Sequence, residues 1–407
     1  MQNKMRFIYF LSITIISFAF SSQLSSETTK ANPATIKILL EQGSTGMVLE
    51  TRGSFEIINP ATDKKISSGR HGKRFYLYPH KEGIKWGENF LGIYQIHIRP
   101  TSPRSSILID GIQYRGVIAV YHVEEKLNVV NEIDVENFLK SALVHRKIPP
   151  LSDAVIDAIA IVARTHAYYT ALLNFKAFWH LNAKTIGYQG YALTCNNLEI
   201  EHAIERTRHL VMTFDYQPFP ATWTYHSAGK TASYNTIFRK NTPTPQGVKT
   251  IFAAKDRRRT FWTLNIESQE LAQIMQTNRI TGIELFVDPS SHKVYALKIL
   301  DGMHSQNIDF LDLQQKLGQN RLRSNDFQVK VQGTQVKFEG YGQGTGVGLC
   351  LYSADCLAKR GESAGEILQT FFPGTSLEKM ATYPEAIISS TRPSFISPIQ
   401  KKRRLLK

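Results

Sequence analysis

The chain has 407 residues, 42% of them hydrophobic and 20% charged, which excludes a disordered chain and leaves room for two or three domains. It carries 49 Lys and Arg against 34 Asp and Glu, a net charge of +15, suited to an anionic partner such as nucleic acid, a membrane surface or an acidic cell-wall polymer. No nucleic-acid-binding module stands at its expected spacing, so nucleic acid is not expected as a partner; the local basic runs are Lys255–Arg259 and Lys401–Arg404.

At the N-terminus, Lys4 and Arg6 precede an uncharged, largely apolar run from Phe7 to Phe20. Ala19-Phe20-Ser21 places small residues where a signal peptidase reads, so residues 1–21 are read as a secretory signal. The run has 14 residues, below the roughly 17 that span a bilayer as a helix. Export to the periplasm or cell envelope is expected. The alternative is an uncleaved membrane anchor, the one membrane contact foreseen.

Residues 22–104 form a β-rich region that opens with a polar stretch to residue 34. Thr35–Leu40, Met47–Glu50, Ser54–Ile58 and Arg74–Tyr78 read as strands separated by Gly, Asn-Pro and Ser-Gly turn signals. Gly92–Arg99 and Ser106–Ile109 continue the series, and residues 114–130 add further β structure. Asp134–Leu143 reads as a short helix with Asp134 as N-cap, ended by Pro149-Pro150. A long helix then runs over Ser152–Leu173, apolar on nearly every face and therefore buried.

Glu199–Thr207, Ser268–Gln276, Asp309–Leu317, Ser353–Lys359 and Glu366–Phe372 read as shorter helices. Residues 211–238 read as β structure and loop, and Ile280–Leu300 as a hairpin. Phe327–Val331 and Gln335–Phe338 read as strands, followed by a glycine-rich loop. The tail, residues 381–407, is basic and is expected to be mobile. Strands come in runs rather than in βαβ alternation, which gives an α+β class. Of the three cysteines, Cys195, Cys350 and Cys356, at least one lacks an intramolecular partner in an exported chain; Cys350 and Cys356 could pair, and the connectivity stays open.

Three blocks share an order and spacing. The first is Tyr114-Arg-Gly, Leu127-Asn-Val-Val-Asn-Glu-Ile-Asp-Val-Glu-Asn-Phe-Leu139 and Ala158-Ile-Ala-Ile-Val-Ala-Arg-Thr-His-Ala167. The second is Tyr188-Gln-Gly-Tyr191, Ala203–Thr207 and Ala221–Thr231. The third is Gly340-Tyr-Gly-Gln-Gly-Thr-Gly-Val-Gly-Leu349 with Phe371-Phe-Pro-Gly-Thr375. Together, over residues 105–380, they resemble the SpoIID/LytB family of peptidoglycan-remodelling proteins. The resemblance implies a mixed fold of short strands packed around a long buried helix.

The resemblance also implies a role on cell-wall glycan. Some members are lytic transglycosylases that prefer glycan stripped of peptide, and use one glutamate as acid and then as base; others enhance a separate amidase. The family glutamate lies in a Pro-Ser-Glu-Met-Pro stretch. Aligned without gaps, its position here is Arg146, in Val144-His-Arg-Lys-Ile148. A guanidinium stays protonated and cannot act as a general acid. The catalytic residue is therefore unassigned, with the adjacent His145 as a weak candidate.

The family's histidine in the glycine loop is replaced by Thr345, and its Ser-Gln-x-Gly-Ala by Cys350-Leu-Tyr-Ser-Ala354. The residues that match, Glu132, Arg164, Tyr188, His226, Ser227, Thr231 and Gly344, join Thr345 as candidate substrate-binding positions. Glu132 either orients the groove or pairs with Arg164 inside the fold. His226 and Ser227 suggest a nucleophile pair, but neighbours on a strand point to opposite faces, which favours a groove-lining loop. Tyr188, Tyr191, Trp223 and Tyr225 are either sugar-stacking or core aromatics.

The segment Trp179–Gly187, where some members hold zinc, has one His and no Cys, and no metal or cofactor is expected. The glycine loop lacks the GK[ST] of a phosphate cradle. Two readings follow: a divergent transglycosylase acting on denuded glycan, or a non-catalytic glycan-binding factor that positions a cell-wall amidase.

Overall fold

Period-two alternation builds the first part of the fold. The computed structural model describes residues 33–144, 150–191 and 197–383. The signal segment, His145, Arg146, Cys195 and the tail beyond residue 383 lie outside them. Twelve strands come first: β1 (Thr35–Ser44), β2 (Met47–Arg52), β3 (Phe55–Asn59), β4 (Lys64–Gly69), β5 (Lys73–His80), β6 (Gly83–Trp86), β7 (Glu88–Leu91), β8 (Gln95–Pro100), β9 (Ser106–Ile109), β10 (Ile112–Tyr114), β11 (Val117–Val123) and β12 (Lys126–Asp134).

They form a seven-stranded sheet in the order β13-β1-β12-β11-β8-β3-β4, where β13 is Leu181–Asn182, and a six-stranded sheet in the order β10-β9-β2-β5-β6-β7. Ile36, Ile38, Leu49, Ile57, Leu77, Trp86, Ile96 and Ile98 join one core. Trp86 is fully buried and its indole N–H donates to Leu49 O at 3.0 Å, which avoids an orphaned donor in an apolar interior. β1, from the N-terminal run, pairs with β12, Ile36 opposite Ile133.

Helix α1 (Val135–Val144) follows β12 directly. Asp134 caps it as expected, accepting from Asn137 N–H at 3.2 Å. The long helix α2 (Asp153–Leu173) is buried over most of its surface, and Ala158, Ala160, Ala167 and Ala171 let neighbours pack close. Its N-cap Ser152 makes no side-chain bond to its own helix; its N–H and hydroxyl go to Asp355 instead, at 3.0 and 2.7 Å.

The chain continues through α3 (Ala183–Ile186), α4 (Leu198–Arg206), β14 (Leu210–Phe214), β15 (Gln217–Pro218), β16 (Trp223–Thr224) and α5 (Tyr234–Phe238). Helix α5 stands where strand and loop are expected: Tyr234 and Phe238 sit one helical turn apart, and their rings stack at 4.3 Å. Helix α6 (Ile251–Asp256) runs into a 3-10 turn, Arg257–Thr260.

A second core follows, centred on Trp262, Leu271, Phe310 and Phe338. It is enclosed by β17 (Trp262–Glu267), α7 (Ser268–Met275), β18 (Gly282–Val287), β19 (Val294–Leu300), β20 (Ser305–Asp309), α8 (Phe310–Leu317), β21 (Phe327–Gln332) and β22 (Gln335–Gly340). The glycine loop then leads to β23 (Leu349–Cys350), α9 (Leu351–Ala358), α10 (Ala364–Phe371) and β24 (Ser376–Lys379), the last pairing with β14. Among the described residues no helix is long and apolar enough to cross a membrane.

Candidate functional site

The glycine loop and the His-Ser loop are folded onto each other. β16 and β23 pair in parallel, Trp223 opposite Leu349. His226 bridges Gln343, and Ala232 bridges Val347. The Thr224 hydroxyl donates to Gln343 O at 2.9 Å and accepts from Gly346 N–H at 3.2 Å. Glycine is required where the strands touch: at Gly348, φ is +77° and an added Cβ would lie 2.0 Å from Thr222 O. Of the candidates, His226, Ser227, Thr231, Gly344 and Thr345 are thus brought together.

His226 is 7% exposed. Its Nδ1 accepts from Ala228 N–H at 3.1 Å, so the hydrogen-bond network assigns the ring proton to Nε2. That Nε2 is buried without a hydrogen-bond partner and lies 3.9 Å from Asp256 Oδ2. The Tyr352 ring stands 4.8 Å from the imidazole. Burial pulls the His226 pKa below the usual imidazole value; Asp256 opposes the shift, and Lys293 and Arg257 add to it.

Ser227 is fully buried and its hydroxyl shares a 2.7 Å hydrogen bond with Thr250. Its N–H donates to Cys350 Sγ at 3.4 Å. The serine hydroxyl is thus directed away from the imidazole, and the two do not form a nucleophile pair. Thr231 Oγ1 accepts from Val248 N–H at 2.8 Å. Thr345 has its hydroxyl oxygen buried without a partner among the described residues, while its carbonyl accepts from Asn325 Nδ2 at 2.7 Å.

Beneath the loop lies a charged network. Lys293, 1% exposed, donates to Ser227 O at 2.6 Å and to Asp326 Oδ2 at 2.7 Å. Arg257 forks onto both oxygens of Asp326, at 2.7 and 2.8 Å, and donates to Ala228 O at 2.8 Å. One carboxylate therefore holds two cations, and each cation fixes a carbonyl of the 227–228 turn. Burial pushes the Lys293 pKa down, and Asp326 opposes it. Asp256, Lys293, Asp326 and Tyr352 were not singled out from the sequence. The polar run Arg323-Ser-Asn-Asp326 ahead of a strand was an available signal for Asp326; Lys293 had none.

The other candidates lie elsewhere. Arg164 is fully buried and forks onto Glu136, Nε to Oε1 at 2.9 Å and Nη2 to Oε2 at 2.7 Å. It also donates to the carbonyls of Ile204 and Leu210. The pairing considered for Glu132 is thereby corrected: the partner is Glu136, in the first turn of α1. Glu132 sits on β12, two residues from Val130 on the same face, and accepts from the Thr35 hydroxyl at 3.1 Å. Tyr188 is buried, its hydroxyl donating to Asn131 Oδ1 at 2.8 Å. Cys350 and Cys356 are both free thiols.

On α9, Asp355 accepts from Ser152 and from Lys359, the latter at 2.6 Å. Burial raises its pKa, but the hydrogen bonds from Lys359 and Ser152 outweigh this and hold the carboxyl below its usual range.

Residues 123–214 match the family model described as SpoIID, stage II sporulation protein. An uncharacterised protein of Chlamydia muridarum is 32% identical over 199 residues, covering 48% of this chain and 67% of that protein. An uncharacterised protein of Brachyspira hyodysenteriae is 24% identical over 353 residues, 85% of this chain and 94% of its own length. Stage II sporulation protein D of Bacillus subtilis is 25% identical over 188 residues, 44% of this chain and 51% of that protein.

Proposed function

The chain belongs to the SpoIID family, and from that premise we propose that it is an exported cell-envelope protein that binds peptide-stripped glycan strands of peptidoglycan, with the family's lytic step relaxed. The observation that carries the reading is Arg146, a group without a transferable proton at neutral pH, at the position of the family's catalytic glutamate. The carboxylates around the site support it. Asp256 is paired with Arg259, Asp326 with Arg257 and Lys293, and Asp355 with Lys359. A general acid needs a proton to give near neutrality, and the hydrogen bonds from Lys359 and Ser152 hold the Asp355 carboxyl below its usual range. The bond cut in its company would then be a different one, the lactyl–peptide amide of neighbouring unstripped sugars, hydrolysed by a separate cell-wall amidase that this protein positions.

The test is mass spectrometry of products after incubating the purified protein with peptide-stripped peptidoglycan, alongside retention of the protein on the same glycan. Retention without anhydro-muramic acid ends is expected. Accumulation of such ends would make the protein a lytic transglycosylase and overturn the binding reading.

A further inference from the structure

The basic run Lys255–Arg259 acquires a partner surface in the fold. Helices α6 and α9 lie side by side and antiparallel. Ala253 N–H donates to Ser353 Oγ at 3.2 Å. At one end the Arg360 guanidinium covers the Phe252 ring at 4.5 Å. At the other end Asp256 accepts a hydrogen bond from the Tyr352 hydroxyl. Lys255, Arg258, Arg259, Lys359 and Arg360 are all exposed along this pair. Arg259 and Lys359 each touch one acid, Asp256 at 3.3 Å and Asp355 at 2.6 Å. Lys255, Arg258 and Arg360 have no acidic partner among the described residues. A strip of five cations is thus left with an excess of positive charge, and it adjoins the buried, unused Nε2–H of His226.

We propose that this strip is the subsite for the lactyl carboxylates of muramic acid on denuded glycan, an inference that rests on the glycan reading above. Removing the stem peptide converts each lactyl amide into a free carboxylate, so a denuded strand carries one negative charge on every second sugar. An intact strand has its lactyl group blocked as an amide, and a chitin oligosaccharide has none. The strip therefore supplies a physical basis for preferring denuded glycan: exposed cations attract repeated single charges over about 10 Å of helix.

The test uses the full chain and three immobilised probes: denuded glycan, the same glycan with its carboxylates amidated, and chitin oligosaccharide. Denuded glycan is expected to bind tightest, and its affinity to fall about 5- to 10-fold in Lys255→Ala/Arg258→Ala, two exposed charge contacts at the usual surface strength. Arg258→Lys, which keeps the charge, should bind within about 2-fold of the parent. Amidated glycan and chitin should bind more weakly than denuded glycan and be insensitive to the substitutions. Equal binding of all three probes would keep the glycan reading and overturn the strip. Binding of none would overturn the glycan reading itself. Capture by phosphatidylglycerol vesicles that the double substitution abolishes, with glycan affinity unchanged, would assign the strip to a membrane and overturn the proposal. Matching thermal melts of parent and variants show that any loss is not unfolding.

Discussion

Arg164 directs its guanidinium onto one carboxylate and three further oxygens, from α4, its C-cap Thr207 and the first residue of β14. A buried pair with every donor satisfied is costly to break from one side, because the partner is left charged in a dry interior. Arg164→Ala is expected to destabilise the fold by about 3–5 kcal/mol, read from denaturant midpoints. The sequence marked Arg164 but not its partner. Glu132 and Glu136 lie four residues apart across a strand–helix junction, and only the phase of that junction turns Glu136 inward. His180 carries a second prediction. Burial, reinforced by Lys37, lowers its pKa from 6.5 to about 4. The unfolded chain takes up this proton near 6.5 and the folded one only near 4, so stability falls as pH is lowered across that window. The loss should be on the order of 2 kcal/mol, and His180→Asn, which retains an acceptor for Lys37 N–H, should flatten the profile in melts taken from pH 7 to pH 4.

Elements whose determinants are local were legible. Helix α10 begins with a capping box in which the Ser363 side chain and Glu366 satisfy each other's backbone N–H groups; Ser363→Ala should cost about 1 kcal/mol, seen as a lowered melting temperature. The long helix, the hairpin at 282–300 and most N-terminal strands follow from alternation or helical periodicity in the same way. Strand β17 carried the same signal, Trp262, Leu264 and Ile266 facing in, yet was not foreseen because its run is short and follows a basic stretch. The contact of β16 with β23 is different, since its two-residue strands have no period to read and depend on glycine. Gly348→Ala forces a side chain into the left-handed region, about 1–3 kcal/mol by itself, and drives it into Thr222 O. It should separate the two loops, detected as faster amide hydrogen exchange at residues 223–228 and 343–350.

At the scale of the whole molecule, the N-terminal run and residues 117–134 share one sheet, and the second core joins the first beneath the His-Ser loop through Asp326. Asp326→Ala strands Lys293 as a buried charge and should destabilise by about 3–5 kcal/mol. Asp326→Ala combined with Lys293→Met should cost less than the sum of the two single changes, a coupling that a double-mutant cycle of unfolding free energies measures. The sequence by itself determined the α+β class, the buried long helix and the family blocks. Each is written in neighbouring residues, as a period of two or of 3.6, or as an uninterrupted motif. Only the tertiary structure decided that Glu136 rather than Glu132 holds Arg164, that Ser227 turns from His226 to Thr250, and that Lys293 reaches Ser227 O across 66 residues. Those choices depend on which face each element presents once distant segments close on each other. That closure is governed by packing and by the need to pair every buried charge, and no local pattern records it.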